Sequence, residues 1–195
     1  KLLCGSFGTL VVTTELTFKV APIAHAEKTI VLRGLAETVA LPLLRDVARL
    51  PLEVSGLAHV TPVAAAQMSD MQGAGALTAL RIEGSTSAVD EAVDALTART
   101  RRLGSTTFGR ELSARLWREI GAVDPFARLE GQVWRLAIPP SAAESVSAEI
   151  GPRAVIYDWA GGLMWVLIDA SPTADAGLMR AAIAHHGGHA TLMRA

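Results

Sequence analysis

The amino-acid sequence predicts an α+β chain in which antiparallel sheets carry helices on one face. Three observations predict it. Half of the 195 residues are apolar and 19% are charged, with a mean hydropathy of +0.34, so a sizeable core can be buried. The order strand, helix, strand, strand, helix occurs twice, at residues 29–101 and 133–186, and the second copy adds a closing strand. The short Gly161-Gly162 connection in the second copy suits a hairpin, whereas parallel strands need a long crossover. Two such copies in tandem are ferredoxin-like, split β-α-β units, spanning residues 28–104 and 131–195. Alternating strands and helices would also allow a parallel βαβ sheet; the Gly-Gly connection argues against it.

Each element has its own signal. Residues 9–20 are rich in β-branched side chains, and Leu16, Phe18 and Val20 alternate with Glu15, Thr17 and Lys19. That predicts a strand with one buried face, ended by Pro22. A second strand is expected over 29–33, closed by Gly34. Val39, Leu43 and Val47 share one side of a helix over 36–49, with Pro42 in its first turn or at a kink and Pro51 beyond its end. A strand follows at 54–61. Residues 62–75 lack a period and are read as a loop. Residues 77–83 form a strand. A helix begins at Ser87, with Asp90 completing an approximate capping box, and Gly104 stops it. Leu112, Leu116 and Ile120, four apart, mark a helix over 110–120. After a strand at 133–138, Ser141 and Glu144 form a Ser-x-x-Glu capping box for a helix to Ile150. Strands at 155–159 and 163–168 flank Gly161-Gly162. A helix over 175–186 with Leu178 and Ala182 inward leads through Gly187-Gly188 to a final strand at 189–193.

Composition narrows the function classes. Eighteen basic against 19 acidic residues give a net charge of −1, so no basic excess exists to neutralise nucleic-acid phosphates. A single cysteine, Cys4, excludes a disulfide framework or a cysteine-rich zinc site. It fits a reducing, cytoplasmic compartment and is expected to be a buried thiol. No uncharged apolar run reaches the length of a spanning helix. The chain opens on Lys1-Leu2-Leu3 and closes on Leu192-Met193-Arg194-Ala195, which reads as a fragment of a longer polypeptide.

Few residues carry chemical signals. Asp90, Glu91 and Asp94 read as a solvated helix face rather than an acid/base pair, which needs burial to shift its pKa values. His185 and His186 are adjacent on a helix end and cannot easily share one metal ion, so no metal site is expected. His189 follows Gly187-Gly188, where the backbone can approach a ligand closely, and is a candidate for lining a site. Trp117, Trp134, Trp159 and Trp165 read as core or interface anchors; Trp159, beside Gly161 and Gly162, could also wall a pocket. Gly5-Ser6-Phe7-Gly8-Thr9 is a small-residue loop running into a strand. Such a loop exposes backbone N–H groups to an oxygen-bearing ligand, or is an ordinary turn.

Residues 1–20, with Gly5-Ser6-Phe7-Gly8-Thr9-Leu10 followed by Thr14-Glu15-Leu16-Thr17-Phe18-Lys19-Val20, resemble the closing motif of the FAD-binding domain of FAD-linked oxidases. Pro51-Leu52-Glu53-Val54-Ser55-Gly56, Trp134-Arg135-Leu136 with Pro139, Asp158-Trp159 with Gly161-Gly162 and Trp165, and Gly187-Gly188-His189-Ala190-Thr191 resemble, in the same order, the FAD-binding subunit of glycolate oxidase. The resemblance implies oxidation of glycolate or another small 2-hydroxy acid through FAD. Its implied partners are a second flavin-bearing subunit and an iron–sulfur subunit. It implies that Gly5, Ser6, Gly8 and Thr9 lie near the flavin. Trp159, Gly161, Gly162 and His189 are the candidates for a substrate pocket, and His189, the one catalytic candidate, is expected to contact substrate or flavin. Residues 1–22 would be the tail of the FAD-binding domain and 23–195 the cap, or substrate, domain. Val11 departs from the family's loop, which has glycine there. The family's glycine-rich pyrophosphate loop has no counterpart, so the isolated chain is expected to be inactive and to retain no FAD. The rival expectation is a non-enzymatic binding or dimerisation module that pairs through open sheet edges.

Overall fold

β-Branched and apolar runs give this chain its sheet. The computed structural model describes residues 3–6, 8–20, 22–69, 75–169 and 176–195. Its strands are β1 (Ala26–Arg33), β2 (Val54–Val60), β3 (Leu77–Gly84), β4 (Ser105–Phe108), β5 (Gln132–Ala137), β6 (Ala154–Asp158), β7 (Leu163–Ile168) and β8 (His189–Arg194). Its helices are α1 (Glu37–Val47), α2 (Pro62–Ala65), α3 (Thr86–Thr100), α4 (Arg110–Ala122), α5 (Asp124–Ala127), α6 (Ala143–Ile150) and α7 (Ala176–Ala184). The strands form one sheet in the order β4-β1-β3-β2-β6-β7-β5-β8, and every neighbouring pair is antiparallel. The chain is therefore α+β, as expected. Read outward from its middle, the sheet repeats itself: β2-β3-β1-β4 on one side, β6-β7-β5-β8 on the other. In each half both inner strands lie between two that run parallel to each other.

The two halves meet at β2 and β6 through only two residue pairs, His59↔Tyr157 and Val60↔Ile156. Thr61 extends this seam. Its N–H donates to the Val155 carbonyl at 3.0 Å, and its Oγ1 accepts from the Val155 N–H at 2.8 Å. The side chain thus does what the next ladder rung would have done.

Alternation along the strands divides the core between two faces. On one face Ile30, Leu80, Val155, Tyr157 and Val166 pack against α1, α3, α6 and α7. On the other, Val31, Ala79, Ile156 and Leu167 pack against α2, α4 and α5. The helices expected on one face are those of the two repeats; the segment joining the halves, with α4 and α5, covers the opposite face.

Several local expectations change. No strand forms over 9–20. Those residues pair with no sheet among the described residues, and Val12, Phe18 and Val20 are exposed. Alternation marks a strand only where a neighbour completes its ladder. The first half acquires a closing strand, β4, which the sequence reading left out; at four residues it is too short to show a period. The expected loop after Val60 begins with α2, and residues 70–74 lie outside the described residues. α1 buries Ala40, Leu41, Leu44 and Val47, and Val39 is 45% exposed, so its inner face is rotated from the expected one. α3 starts earlier, capped by Ser85, whose Oγ accepts from the Ala88 N–H at 3.4 Å. The Ser141–Glu144 capping box does not form. α6 follows a 3-10 turn at Pro140–Ala142 without a side-chain cap, and Glu144 instead takes both guanidinium nitrogens of Arg45, at 2.7 and 2.9 Å. Leu112 and Leu178 are exposed; Trp117 and Met179 take the inner positions expected of them.

Candidate functional site

The Gly5–Thr9 turn has the backbone its composition suggests. Gly5 and Gly8 sit at φ 82° and 77°, a region that favours glycine. The Thr9 N–H and Oγ1 both donate to the Ser6 carbonyl, at 2.9 and 2.7 Å. The described residues of the turn are mostly exposed, and a Cβ on Gly5 or Gly8 would meet nothing within 4 Å. A flavin phosphate or ring edge could approach this backbone freely. The turn fits as one wall of a dinucleotide site and does not enclose one. Phe7 lies outside the described residues. Cys4 is exposed, which corrects the expectation of a buried thiol.

The other predicted residues come together at one end of the sheet. His189 pairs with Ala137 on one side of β5, and Leu163 pairs with Ala137 on the other. Gly162 accepts from the Ile138 N–H at 3.1 Å. His189 and Gly162 therefore flank the same point of β5, about 10 Å apart across two strand spacings. Gly188 is fixed by this crowding: at φ 125°, its Cβ would lie 2.2 Å from the Ala137 carbonyl oxygen. Gly161 (φ 98°) is held between α6 and the preceding 3-10 turn, its Cβ position 3.1 Å from the Ala143 Cβ and 3.3 Å from the Pro140 oxygen.

Trp159 and Ala160 also adopt left-handed conformations, at φ 53° and 56°. These are uncommon for side chains of their kind and cluster at functional sites. Trp159 is 60% exposed and donates its N–H to Asp158 at 2.7 Å. Burial pushes the Asp158 carboxyl above its usual pKa, against the opposing effects of that N–H and of Arg81.

Register adds residues that sequence reasoning did not single out as a site. Arg135 pairs with Thr191 on β8 and with Trp165 on β7. Partners across a strand pair, and residues two apart along a strand, share a face. So Arg135, Trp165, Thr191, Leu163 and His189 all lie on the face that α4 covers only in the other half. The Arg135 guanidinium lies 6.0 Å from the Trp165 ring centroid. Among the described residues it has no ion-pair partner. A planar cation near an aromatic ring, with no ion-pair partner among the described residues, is suited to a carboxylate ligand.

A second site lies on the opposite face, at the seam. A cleft of about 620 Å³ is lined by Leu35, Glu37, His59, Pro62, Ser147 and Ala148, among others, within the size range of small-molecule pockets. β2 and β6 place His59 opposite Tyr157, their ring centroids 5.9 Å apart. The Tyr157 hydroxyl donates to Glu37 Oε2 in a short hydrogen bond, and the Ser147 hydroxyl donates to the same oxygen at 3.4 Å. Burial, and then the Glu37 carboxylate, push the Tyr157 hydroxyl well above its usual pKa. His59 is fully buried. Its Nδ1 is 2.9 Å from Thr78 Oγ1, and its Nε2 has no partner among the described residues. Desolvation lowers its pKa to about 4, so it is neutral near pH 7. No sequence signal marked this site, because Glu37 and Tyr157 are 120 residues apart.

The remaining predicted groups do not assemble. Asp90, Glu91 and Asp94 are exposed, with Asp90 paired to Lys28 at 2.7 Å. His185 and His186 follow α7, and His186 Nε2 lies 3.3 Å from Ser145 Oγ. Among the described residues no group of three or more His, Cys, Asp or Glu is placed to hold a metal ion, and no helix is long and apolar enough to cross a membrane.

No family model matches the chain. A protein described as glycolate oxidase subunit GlcE, from Escherichia coli strain K12, is 26% identical to it over 192 residues. That match takes in 98% of this chain and 45% of the relative, so the chain spans a little under half of that protein's length. The likeness to a glycolate oxidase subunit, read first from separate motifs, therefore extends along nearly the whole sequence.

Proposed function

We propose that this chain forms the substrate-facing part of an FAD-linked oxidoreductase resembling glycolate oxidase, which converts glycolate or a similar small 2-hydroxy acid to the 2-oxo acid. The likeness to GlcE along 98% of the chain carries the reading. In it, residues 1–22 are the tail of a flavin-binding domain and 23–195 the cap. The Gly5–Thr9 turn contributes Gly5, Ser6, Gly8 and Thr9 to one wall of the FAD site, and chain outside these 195 residues supplies the rest. A second flavin-bearing subunit and an iron–sulfur subunit complete the assembly.

Oxidation of a 2-hydroxy acid removes the hydroxyl proton and a hydride from C2, and bound FAD supplies the acceptor for the hydride. The residues of this chain bind and orient. Arg135, with no ion-pair partner among the described residues, takes the substrate carboxylate beside the Trp165 ring. His189, exposed at the start of β8, stands diagonally across the same face, where its ring can hold the hydroxyl proton. Trp159 and Gly162 stand at the same end of the sheet, and Gly161 packs against α1 and α6 on its opposite face.

The test uses the complete oxidase that contains this chain. Wild type is expected to reduce an artificial electron acceptor in a glycolate-dependent way. Arg135→Met is expected to raise KM for glycolate by about tenfold or more, the worth of one charge-assisted contact, at unchanged flavin content. An Arg135→Met enzyme with wild-type KM would refute the assignment of the patch. Absence of turnover with every small 2-hydroxy acid would refute the oxidase reading.

A further inference from the structure

One edge of the sheet combines open backbone with unpaired charge. β4 pairs with β1 alone and ends the strand order, so among the described residues no strand meets its outer side. Such an edge presents N–H and C=O groups to any extended chain. Alternate residues point these groups outward, and the four residues of β4 offer two such positions. Natural edges are commonly blunted by a charged side chain or a proline within the strand. β4 reads Ser105-Thr106-Thr107-Phe108 and has neither. Thr106 and Thr107 are exposed.

Register gathers arginines at one end of this edge. The β1–β4 ladder ends at Leu32↔Ser105, so Arg33 follows the last pair on one strand and Gly104 precedes it on the other. Arg101 and Arg102 lie in the 3-10 turn just before Gly104, and Arg99 in the last turn of α3. All of them are exposed. Among the described residues none has an ion-pair partner, whereas Lys28, Arg45, Arg49, Arg81 and Arg153 do. Residues 95–110 contain no acid. Glu37, the first acid after Arg33, is held at the seam by Tyr157 and Ser147. The helix dipole favours a cation at the end of α3, which accounts for Arg99 and not for Arg33, at the end of a strand.

The two features select an occupant. A second copy of this edge is repelled by the same arginines. A nucleic acid meets the charges and leaves the backbone groups unpaired. An acidic segment in extended conformation satisfies both, because guanidinium forks match carboxylates and an added strand extends the ladder. We propose that β4 takes up an extended, acidic segment of another polypeptide, its backbone pairing with the free edge and its carboxylates meeting Arg33, Arg99, Arg101 and Arg102. This surface lies at the opposite end of the strand order from β5 and β8, which carry Arg135 and His189, and does not depend on the oxidase reading.

The probe is a capped, fluorescently labelled peptide, Glu-Val-Glu-Val-Glu-Val-Glu. It is titrated into the 195-residue chain and followed by anisotropy and by the Thr106 and Thr107 amide signals in NMR. Both readouts are expected to saturate. Controls separate the sources of binding. Lysine for each glutamate reverses the charge. Proline for each valine keeps the charge and removes backbone donors. A single-stranded oligothymidine of equal charge carries no peptide backbone. Each control is expected to bind about tenfold more weakly or worse. Arg101→Glu combined with Arg102→Glu, at exposed positions where substitution leaves the fold intact, is expected to weaken the acidic peptide by about tenfold or more. No saturation by the acidic peptide, equal binding of any control, or binding unchanged in the double variant would overturn the proposal. None of these outcomes bears on the oxidase reading, which is tested by turnover.

Discussion

His59 makes stability depend on pH in a way that can be worked out from its surroundings. The ring is fully buried, and desolvation lowers its pKa from 6.5 to about 4. In the unfolded chain the imidazole takes up a proton near pH 6.5; in the fold it resists until about pH 4. Between these values the unfolded state holds more protons, so stability falls as pH falls and is fully present above the higher value. The gap between the two pKa values is worth about 3 kcal/mol, a large part of the stability of a typical domain. Other carboxylates titrate in the same range, so the measurement is a difference. Urea unfolding of wild type and of His59→Leu is followed from about pH 7 to about pH 4. The variant carries a constant penalty for the lost Thr78 contact and for the changed packing, but it no longer titrates at this position. Wild type is expected to lose about 3 kcal/mol more than the variant across the series. Parallel curves would refute the reasoning and would mean that the imidazole is hydrated or paired in the fold.

Other predictions follow from packing and register. Gly188→Ala places a Cβ against the Ala137 carbonyl oxygen at a φ that favours glycine, and is expected to cost about 2 kcal/mol or more in urea unfolding. Leu41→Ala empties a fully buried position at a cost of about 2–5 kcal/mol, whereas Val39→Ala, one turn edge away and exposed, is expected to stay within about 0.5 kcal/mol of wild type. Gly56→Ala would press a methyl against the Trp117 ring, 2.8 Å from its Cη2, and is expected to shift the tryptophan emission and lower the unfolding midpoint. In the complete oxidase, His189→Ala is expected to reduce kcat while leaving flavin content unchanged; a wild-type pH–rate profile would remove His189 from the chemistry.

Most of the order of elements was legible because the longer strands and helices carried their own period, and the Gly161-Gly162 turn argued for antiparallel pairing; β4, α2 and α5 are too short to show one. Faces were harder to read. In α1, Leu41, Leu43, Leu44 and Val47 surround Pro42 and offer two overlapping apolar stripes; the sheet, not the local pattern, selects the one with Ala40 and Leu41. Residues 9–20 have a convincing alternation, but pairing is a property of two segments and cannot be read from one. The His189 and Trp159 region could be found because paired glycines mark tight backbone. Arg135 and Trp165 needed the register of β5, β7 and β8 to show that they share a face with His189. The seam cleft left no local trace at all: His59 sits inside a strand, Glu37 starts a helix, and Tyr157 lies in the other half of the chain.

The joint between the halves has a mechanical consequence. Where β1 and β3 are matched over eight residue pairs, β2 and β6 share two, reinforced by Thr61 and clamped from α1 to α6 by Arg45 and Glu144. Under tension applied across the sheet, this line has the fewest ladder pairs to break. The Glu37–Tyr157 hydrogen bond crosses the same line and acts as a rivet between the halves.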